Sequence, residues 1–296
     1  MRPNAYTLLT LTTLFWAGNA VAGKLAAGTI SPVALTFARW TIACLVFYAF
    51  ARPHLRNDWP LVRRHLAMLF ALGALGFSAF NIGLYWAVHY TTVINVAIEQ
   101  SAMPVLIILA NYLLFSQRIT SLQALGVLLT ITGVLVTATR GAPLAIFETG
   151  VNRGDAIMIL CVILYGGYTL ALRFRPDIHW TTLMFALTAS AAIFALPLYA
   201  FEIFDEGFRM PEAKGWAIIA YTAIFPSMLS QLFFIRGVAM IGPNRAGLFI
   251  NLVPIFAAIL AVLILAESFR PYHLAGMLLV LGGIGLAERF GAHRSG

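Results

Sequence analysis

The dominant feature of this sequence is a series of apolar runs, each about as long as the core of a lipid bilayer requires. A spanning helix needs about 20 mostly apolar residues, and the segments between these runs are short. We therefore predict an all-α integral membrane protein with ten transmembrane helices. The predicted helices cover 7–27, 33–51, 65–88, 92–116, 121–139, 154–173, 179–200, 214–238, 243–265 and 270–288.

The composition excludes a soluble globular protein. Of the 296 residues, 61% are hydrophobic and 10% are charged, whereas soluble domains carry about 25% charged residues. The net charge of +8 does not indicate a nucleic-acid partner, because most arginines lie in short segments between apolar runs. Arg52, Arg56, Arg63 and Arg64 would share one side with both termini, and the positive-inside rule makes that side the cytoplasm.

The two halves of the chain resemble each other. At shifts of 149 or 150 residues, the aligned pairs include Trp16 and Tyr165, Gly18 and Gly167, Pro104 and Pro254, Gln117 and Glu267, Gly126 and Gly276, and Gly133 and Gly283. Because each half has an odd number of helices, the second half must cross the membrane in the opposite direction. We predict two inverted five-helix repeats, 1–140 and 154–296, joined by a linker at 141–153, a design that secondary transporters commonly use.

Polar and aromatic residues inside the predicted helices form a candidate substrate site. Polar side chains at membrane depth are costly and usually face a cavity or the interior of a helix bundle. Asn81, Tyr85 and His89 recur at four-residue spacing, which places them on one face of a helix. The predicted lining of a central cavity is Trp16, Asn19, Asn81, Tyr85, His89, Asn95, Glu99, Tyr165, Tyr168 and Gln231. The alternative is that these residues only form hydrogen bonds and packing contacts between helices.

Two charged residues lie deep in the first half. Arg39 and Glu99 are each roughly 10 Å from the outer end of a predicted helix, and this similar depth favours a buried ion pair. The alternative is that Glu99 binds a substrate amino group or a proton during transport. Lys24 lies at a helix end, where we expect its ammonium group to reach the interface.

Two prolines interrupt predicted helices at matching positions. Proline removes one helical hydrogen bond and kinks the helix, so Pro104 and Pro254 are either a pair of symmetry-related hinges or fixed bends. The aligned glycines of the fifth and tenth helices predict a face on which these two helices pack closely.

Three parts of the sequence resemble a known family. They are LFWAGNAVAGK at 14–24, ALTFARW at 34–40, and the pattern of Pro104, Gln117, Thr120, Gly126 and Gly133, which the second half repeats in part. Over nearly the whole chain, these features resemble the drug/metabolite transporter superfamily, in its EamA-like branch of ten-helix exporters. Two features depart from the family pattern: Gln117 stands where the family often has Glu, and the second half has no clear counterpart of Arg39.

This resemblance implies a secondary exporter in a bacterial inner membrane, acting as a monomer or homodimer in contact with the lipid bilayer. The chain is most similar to exporters of amino acids, including aromatic ones, and of cationic toxins such as methyl viologen. The implied substrate is therefore an amino acid or an organic cation, carried by alternating access around a cavity at the membrane midplane.

Other functional classes have less support in the sequence. An intramembrane enzyme would need paired acids or a nucleophile at depth, and Glu99 is the only deep acid that we identify from the sequence. No nucleotide-binding, metalloprotease or serine-hydrolase motif is present, so we expect no enzyme activity, cofactor or metal. A channel-like or facilitative pore and a multidrug cation exporter are the alternatives.

Overall fold

The computed structural model describes residues 4–116, 119–142, 150 and 152–289, and in these residues the regular elements are all helices. The first half contains α1 (Ala5–Ala26), α2 (Pro32–Arg64), α3 (Leu66–Gly73), α4 (Phe80–Tyr90), α5 (Val93–Gln100), α6 (Met103–Phe115) and α7 (Ser121–Ala138). The second half contains α8 (Arg153–Ala171), α9 (Trp180–Glu206), α10 (Ala213–Ile224), α11 (Ser230–Ile241), α12 (Pro243–Gly247), α13 (Val253–Leu265) and α14 (Pro271–Arg289).

Nine helical segments of the described chain are long and apolar enough to cross a membrane. They begin at Pro32, Leu66, Val93, Ser121, Arg153, Trp180, Ala213, Arg245 and Pro271. The remaining long helix, α1, has 22 residues, but its threonines, Asn19 and Lys24 lower its mean hydropathy. The all-α class is thus as predicted, whereas these criteria identify nine spans and not the predicted ten.

Four of the predicted continuous helices are interrupted. A π-helical turn, Ala74–Ala79, joins α3 to α4, and another, Phe225–Leu229, joins α10 to α11. The predicted fourth helix is divided into α5 and α6, and a 3-10 segment, Leu248–Leu252, divides α12 from α13. Pro104 and Pro254 are the second residues of α6 and α13, positions where a missing backbone N–H removes no helical hydrogen bond.

The helices of the two halves interleave. α1 packs against α11 and α13, whereas α8 packs against α4, α5 and α6. α2 packs along α9, and α7 packs along α14. Consequently α1, α4, α5 and α8 share the centre of the molecule, in the cluster of buried apolar side chains that holds Leu84, Ile94 and Met158.

Glycines bring α7 and α14 into backbone contact. A Cβ atom built on Gly126 would lie 2.5 Å from the carbonyl oxygen of Gly283, and one built on Gly283 would lie 2.5 Å from the carbonyl oxygen of Gly126. A Cβ atom on Gly133 would lie 2.8 Å from the carbonyl oxygen of Gly276. The predicted close packing is therefore confirmed. Because residue numbers rise along one helix as they fall along the other, α7 and α14 are antiparallel.

The predicted end of the second helix at residue 51 is wrong, because α2 continues as a helix through Arg64. Each internal proline removes a helical hydrogen bond and crowds the carbonyl group one turn earlier, and contacts with the start of α9 offset this cost. The backbone N–H of His179 donates to Asp58 Oδ2 at 3.1 Å, and the rings of His54 and His179 stack with their centroids 3.6 Å apart. Most of the predicted linker at 141–153, and Gln117, lie outside the described residues.

Candidate functional site

Arg39 is a buried cation at the centre of a polar cluster. It lies on α2 and is 2% exposed. Its Nη1 donates to Asn19 Oδ1 at 2.8 Å, to Asn81 Oδ1 at 2.7 Å and to the hydroxyl of Tyr85. Its Nε and Nη2 donate to Ser227 Oγ at 3.0 and 2.6 Å. The guanidinium group therefore joins α1, α2 and α4 to the π-helical turn at Phe225–Leu229.

The partners of Arg39 are held with their acceptor atoms towards it. Asn81 Nδ2 donates to the backbone carbonyl of Phe77 at 2.6 Å, and Asn19 Nδ2 donates to Asn81 Oδ1 at 3.1 Å. The Tyr85 hydroxyl donates to Asn19 Oδ1 at 2.8 Å, and the Ser227 hydroxyl donates to a backbone carbonyl of α10 at 2.7 Å. With these protons directed elsewhere, oxygen lone pairs are left for the guanidinium group.

The predicted ion pair between Arg39 and Glu99 is wrong. The described hydrogen-bond acceptors around Arg39 are amide and hydroxyl oxygens, and the carboxyl group of Glu99 faces Asp155 instead. Similar depth did not bring the two charges together, because the buried side of α5 that carries Glu99 is covered by α8 and not by α2.

Glu99 and Asp155 form a buried carboxyl pair. Glu99 on α5 is 1% exposed and Asp155 on α8 is 0% exposed, and their carboxyl groups are in contact. Asn95, one turn before Glu99, donates through Nδ2 to Asp155 Oδ1 at 3.4 Å. Glu99 is therefore not the only deep acid, because α8 brings a second carboxyl group against it.

A polar cavity of about 550 Å³ lies beside this pair. Of the predicted site residues, His89 and Asn95 line it. The charged residues and histidines around it are Lys24, His89, Arg140, Glu267, Arg270 and His273. Lys24 Nζ donates to the backbone carbonyls of Val88 at 2.5 Å and Thr91 at 3.0 Å, where the negative end of the α4 dipole attracts a cation.

The predicted aromatic residues lie in packing contacts away from this cavity. The ring of Trp16 is 5.4 Å from that of Phe234, and the ring of Tyr165 is 4.9 Å from Phe80 and 5.2 Å from Tyr168. Gln231 is half-buried on α11. Nine of the ten predicted residues thus occupy three places: Asn19, Asn81 and Tyr85 lie at Arg39, His89, Asn95 and Glu99 lie at or behind the cavity, and Trp16, Tyr165 and Tyr168 pack between helices.

Sequence reasoning missed Ser227 and Asp155 as site residues. Ser227 follows Pro226 in the middle of an apolar run, and a proline at such a position is a signal of an irregular turn with free backbone groups. Asp155 lies in the first turn of α8, where an acid is usual because it interacts favourably with the helix dipole. Only the close approach of α5 to α8 distinguishes it from an ordinary residue of a helix start.

Comparison with known proteins assigns the chain to a family. The profile of the EamA-like transporter family matches residues 4–139 and, a second time, residues 152–288. The chain belongs to the EamA-like transporter family. As an EamA-like protein with these apolar helices it is an integral membrane protein, and its relatives' names describe transporters rather than enzymes.

Relatives of this EamA-like protein match it over most of their length. The uncharacterized transporter YetK of Bacillus subtilis (strain 168) is 26% identical over 287 residues, which are 95% of this chain and 85% of YetK. A probable terminal-alkyne amino-acid exporter of Streptantibioticus cattleyicolor is 25% identical over 284 residues, 95% of this chain and 92% of the exporter. A solved crystal structure with 18% sequence identity superposes with a TM-score of 0.63 over 96% of both chains, which supports the fold.

Proposed function

We propose that this EamA-like protein is a secondary exporter of amino acids, working by alternating access around a substrate site centred on Arg39. The observation that supports this most directly is a buried guanidinium group whose described hydrogen-bond partners are neutral. A charge at the centre of a membrane helix costs about 2.5–3.5 kcal/mol on insertion scales. Dipoles offset part of that cost, and a substrate carboxylate would neutralise the charge itself.

The chemistry of Arg39 favours a carboxylate over an organic cation. A guanidinium group offers a planar fork of donors that matches the two oxygens of a carboxylate, whereas it would repel methyl viologen. In this structure those donors are occupied by Ser227, Asn19, Asn81 and Tyr85. We infer that a bound carboxylate replaces some of these neutral partners when the site is open to one side.

Two inverted five-helix halves, 1–140 and 154–296 with a linker at 141–153, would provide the alternating motion. The family profile matches the chain twice, in support of this arrangement. Under the 150-residue shift, the contact between Gly126 and Gly283 becomes the contact between Gly276 and Gly133, and both occur between antiparallel helices. On this proposal α1 is the tenth span, and Pro104 and Pro254 lie at equivalent helix breaks that act as hinges.

The substrate class rests on Arg39 and on one relative. The Streptantibioticus cattleyicolor protein is named a probable amino-acid exporter, and every amino acid carries the carboxylate that Arg39 would bind. We include aromatic amino acids because Trp16 and Tyr165 lie at corresponding positions of the two halves, where a ring could stack on them. We place the protein in a bacterial inner membrane with both termini in the cytoplasm, as a monomer or homodimer.

Purified protein in liposomes tests this function. Liposomes would be loaded with labelled phenylalanine, leucine or methyl viologen, and efflux measured with and without unlabelled competitor. We expect saturable, competed efflux of the amino acids. Arg39→Gln should lower it at least about tenfold, because a charge-assisted hydrogen bond contributes about 1.5–3 kcal/mol, while Arg39→Lys should retain part of it. Arg56→Gln, at an exposed arginine of the same helix, is the matched control.

Two outcomes would contradict the proposal. Efflux of methyl viologen without efflux of amino acids would identify a cation exporter. Flux that neither saturates nor responds to competitor would identify a pore. Trp16→Ala and Tyr165→Ala test the aromatic preference: each should slow efflux of phenylalanine more than that of leucine, by about 0.5–1.5 kcal/mol, with expression unchanged. Equal effects on both substrates would show that these rings only pack between helices.

A further inference from the structure

The carboxyl pair of Glu99 and Asp155 lacks a hydrogen-bond donor between its members. Both oxygens of Glu99 and Oδ2 of Asp155 are buried and have no donor among the described protein groups, although the two carboxyl groups touch. Two ionised carboxylates cannot form a hydrogen bond with each other, because neither has a proton to donate. A single proton on either residue creates that bond and removes one of the two buried negative charges.

Electrostatics make the singly protonated pair the stable state of this arrangement. Like charges in contact repel strongly in a low-dielectric interior, and an unpaired buried carboxylate is costly in itself. Asn95 donates to Asp155 Oδ1, which favours the negative charge on Asp155 and the proton on Glu99. Asp155 Oδ2, which also lacks a donor, can then accept a hydrogen bond from the protonated carboxyl group of Glu99.

A polar route connects the pair to the cavity. The backbone N–H of Arg270 donates to His273 Nδ1 at 3.0 Å, so His273 carries its proton on Nε2, which donates to Asn95 Oδ1 at 3.0 Å. Asn95 in turn reaches Asp155 and lines the cavity. Asp155 also interacts with the charge of Arg140. The other titratable groups that line the cavity are Lys24 of α1, His89 and Tyr90 of α4, and Glu267, Arg270, Tyr272 and His273 at or before the start of α14.

The position of the pair connects the two halves of the chain. Glu99 belongs to α5 in the first half and Asp155 to α8 in the second. At this point α8 touches the end of α4 directly, since a Cβ atom on Gly154 would lie 2.6 Å from the carbonyl oxygen of Ala87 and 2.8 Å from the backbone nitrogen of Thr91. A movement that opens the molecule here must separate Glu99 from Asp155.

We propose that Glu99 and Asp155 bind one proton between them, and that this proton holds the junction of α5 and α8 closed. Loss of the proton leaves two carboxylates in contact, whose repulsion opens the junction towards the polar cavity. Coupling of this step to amino-acid export rests on the proposed function. The proton site itself does not, because it follows from the buried pair and its missing donor.

Proton binding is tested without any substrate. Infrared difference spectra of the purified protein at pH 7 should contain the C=O stretching band of a protonated carboxyl group. Glu99→Gln and Asp155→Asn should each remove this band, whereas Glu202→Gln, a half-buried acid of α9, should leave it. Spectra without the band, or a band that survives both substitutions, would overturn the proposal.

Thermal stability supplies a second readout. The amide of Glu99→Gln donates an N–H to Asp155 permanently, as the shared proton does reversibly. The Tm of the wild type should therefore fall as the pH rises and the proton is lost, while the Tm of Glu99→Gln should stay constant over the same pH range. Asp155→Asn should behave in the same way. Equal pH dependence of Tm in the wild type and both variants would argue against a shared proton.

Transport separates the failure of this proposal from failure of the proposed function. Exchange of labelled for unlabelled amino acid at equal pH needs no net proton movement, whereas uphill export driven by a pH gradient does. Glu99→Gln should keep exchange and lose stimulation by the gradient. If the wild type has the infrared band but does not exchange amino acids, the proposed proton site stands and the proposed substrate class is wrong. If the wild type exchanges amino acids but has no such band, the proposed substrate class stands and the proposed proton site is wrong.

Discussion

At the scale of single residues, Tyr85 links the polar cluster around Arg39 to the packing of α1 against α4. Its side chain is 0% exposed, and its hydroxyl both accepts from Arg39 and donates to Asn19. The ring also packs beside Gly23, where an added Cβ atom would lie 2.4 Å from Tyr85 Cδ1. One residue thus fixes the position of the guanidinium group and the spacing of α1 from α4.

We expect Tyr85→Phe to reduce the free energy of unfolding by about 1–2 kcal/mol, because the ring still packs but the hydrogen bonds to a charged group and to an amide are lost. Thermal denaturation in detergent measures this change. Tyr6→Phe, at a tyrosine on α1 that is 55% exposed, is the control and should be nearly neutral. Equal stability of the two variants would show that the remaining neutral partners satisfy Arg39 by themselves.

Sequence reasoning identified the cation and not its partners. Arg39 is conspicuous because it interrupts an apolar run, and Asn19, Asn81 and Tyr85 were predicted to share one site. Their convergence on Arg39 could not be derived, because it depends on the rotation of α2 about its own axis. Ser227 faces Arg39 from within a π-helical turn, and the periodicity of an ordinary α-helix gives no register for such a turn.

At the scale of elements, the α7–α14 pair shows that small residues determine how closely two helices approach each other. Gly126 and Gly283 each present bare backbone to the other helix, which allows an approach that any side chain would prevent. Gly285 lies only two residues from Gly283 on α14, yet an added Cβ atom there would meet nothing within 4 Å. A larger side chain should therefore be accommodated at Gly285 but not at Gly283, although both glycines lie on α14.

Gly126→Ala should destabilise the protein by about 1–3 kcal/mol, the usual effect of overpacking a tight interface. Gly285→Ala should be neutral or slightly stabilising, since alanine favours the helix and has room. The Tm values of both variants in detergent give the comparison. Similar losses in the two would mean that helix propensity, and not contact between α7 and α14, decides the outcome.

The existence of most helices followed from the apolar runs, whereas their interruptions did not. The helix predicted at 121–139 agrees with α7 within one residue at each end. The helix predicted at 179–200 begins where α9 begins, within one residue, but α9 continues to Glu206. The break between Gln100 and Met103 falls where Glu99, Gln100 and Ser101 interrupt the apolar run, and Pro104 follows it. Pro53 and Pro60, by contrast, leave α2 continuous. Proline alone therefore does not determine whether a helix stops.

At the scale of the whole molecule, the orientation proposed from the loop arginines makes a direct prediction. Reporters fused after Arg56, on the extension of α2, and at the C-terminus should both report the cytoplasm. A reporter fused after Asp205, which is exposed near the end of α9, should report the outside. A cytoplasmic signal at Asp205 together with an external one at Arg56 would reverse the orientation.

The two π-helical turns also constrain how the length of this chain can change. Deleting one residue from an ordinary helix rotates everything beyond it by about 100°, which would turn buried faces towards lipid. A π-helical turn holds one residue more than an α-turn over the same hydrogen-bonded step, so losing a residue within Ala74–Ala79 or Phe225–Leu229 lets the turn relax to α-helix while the flanking faces stay in register. In a scan of single-residue deletions scored by the yield of folded protein, deletions within these two stretches should be tolerated better than deletions elsewhere in their helices. Equally low yields throughout would show that the π-helical turns themselves are needed.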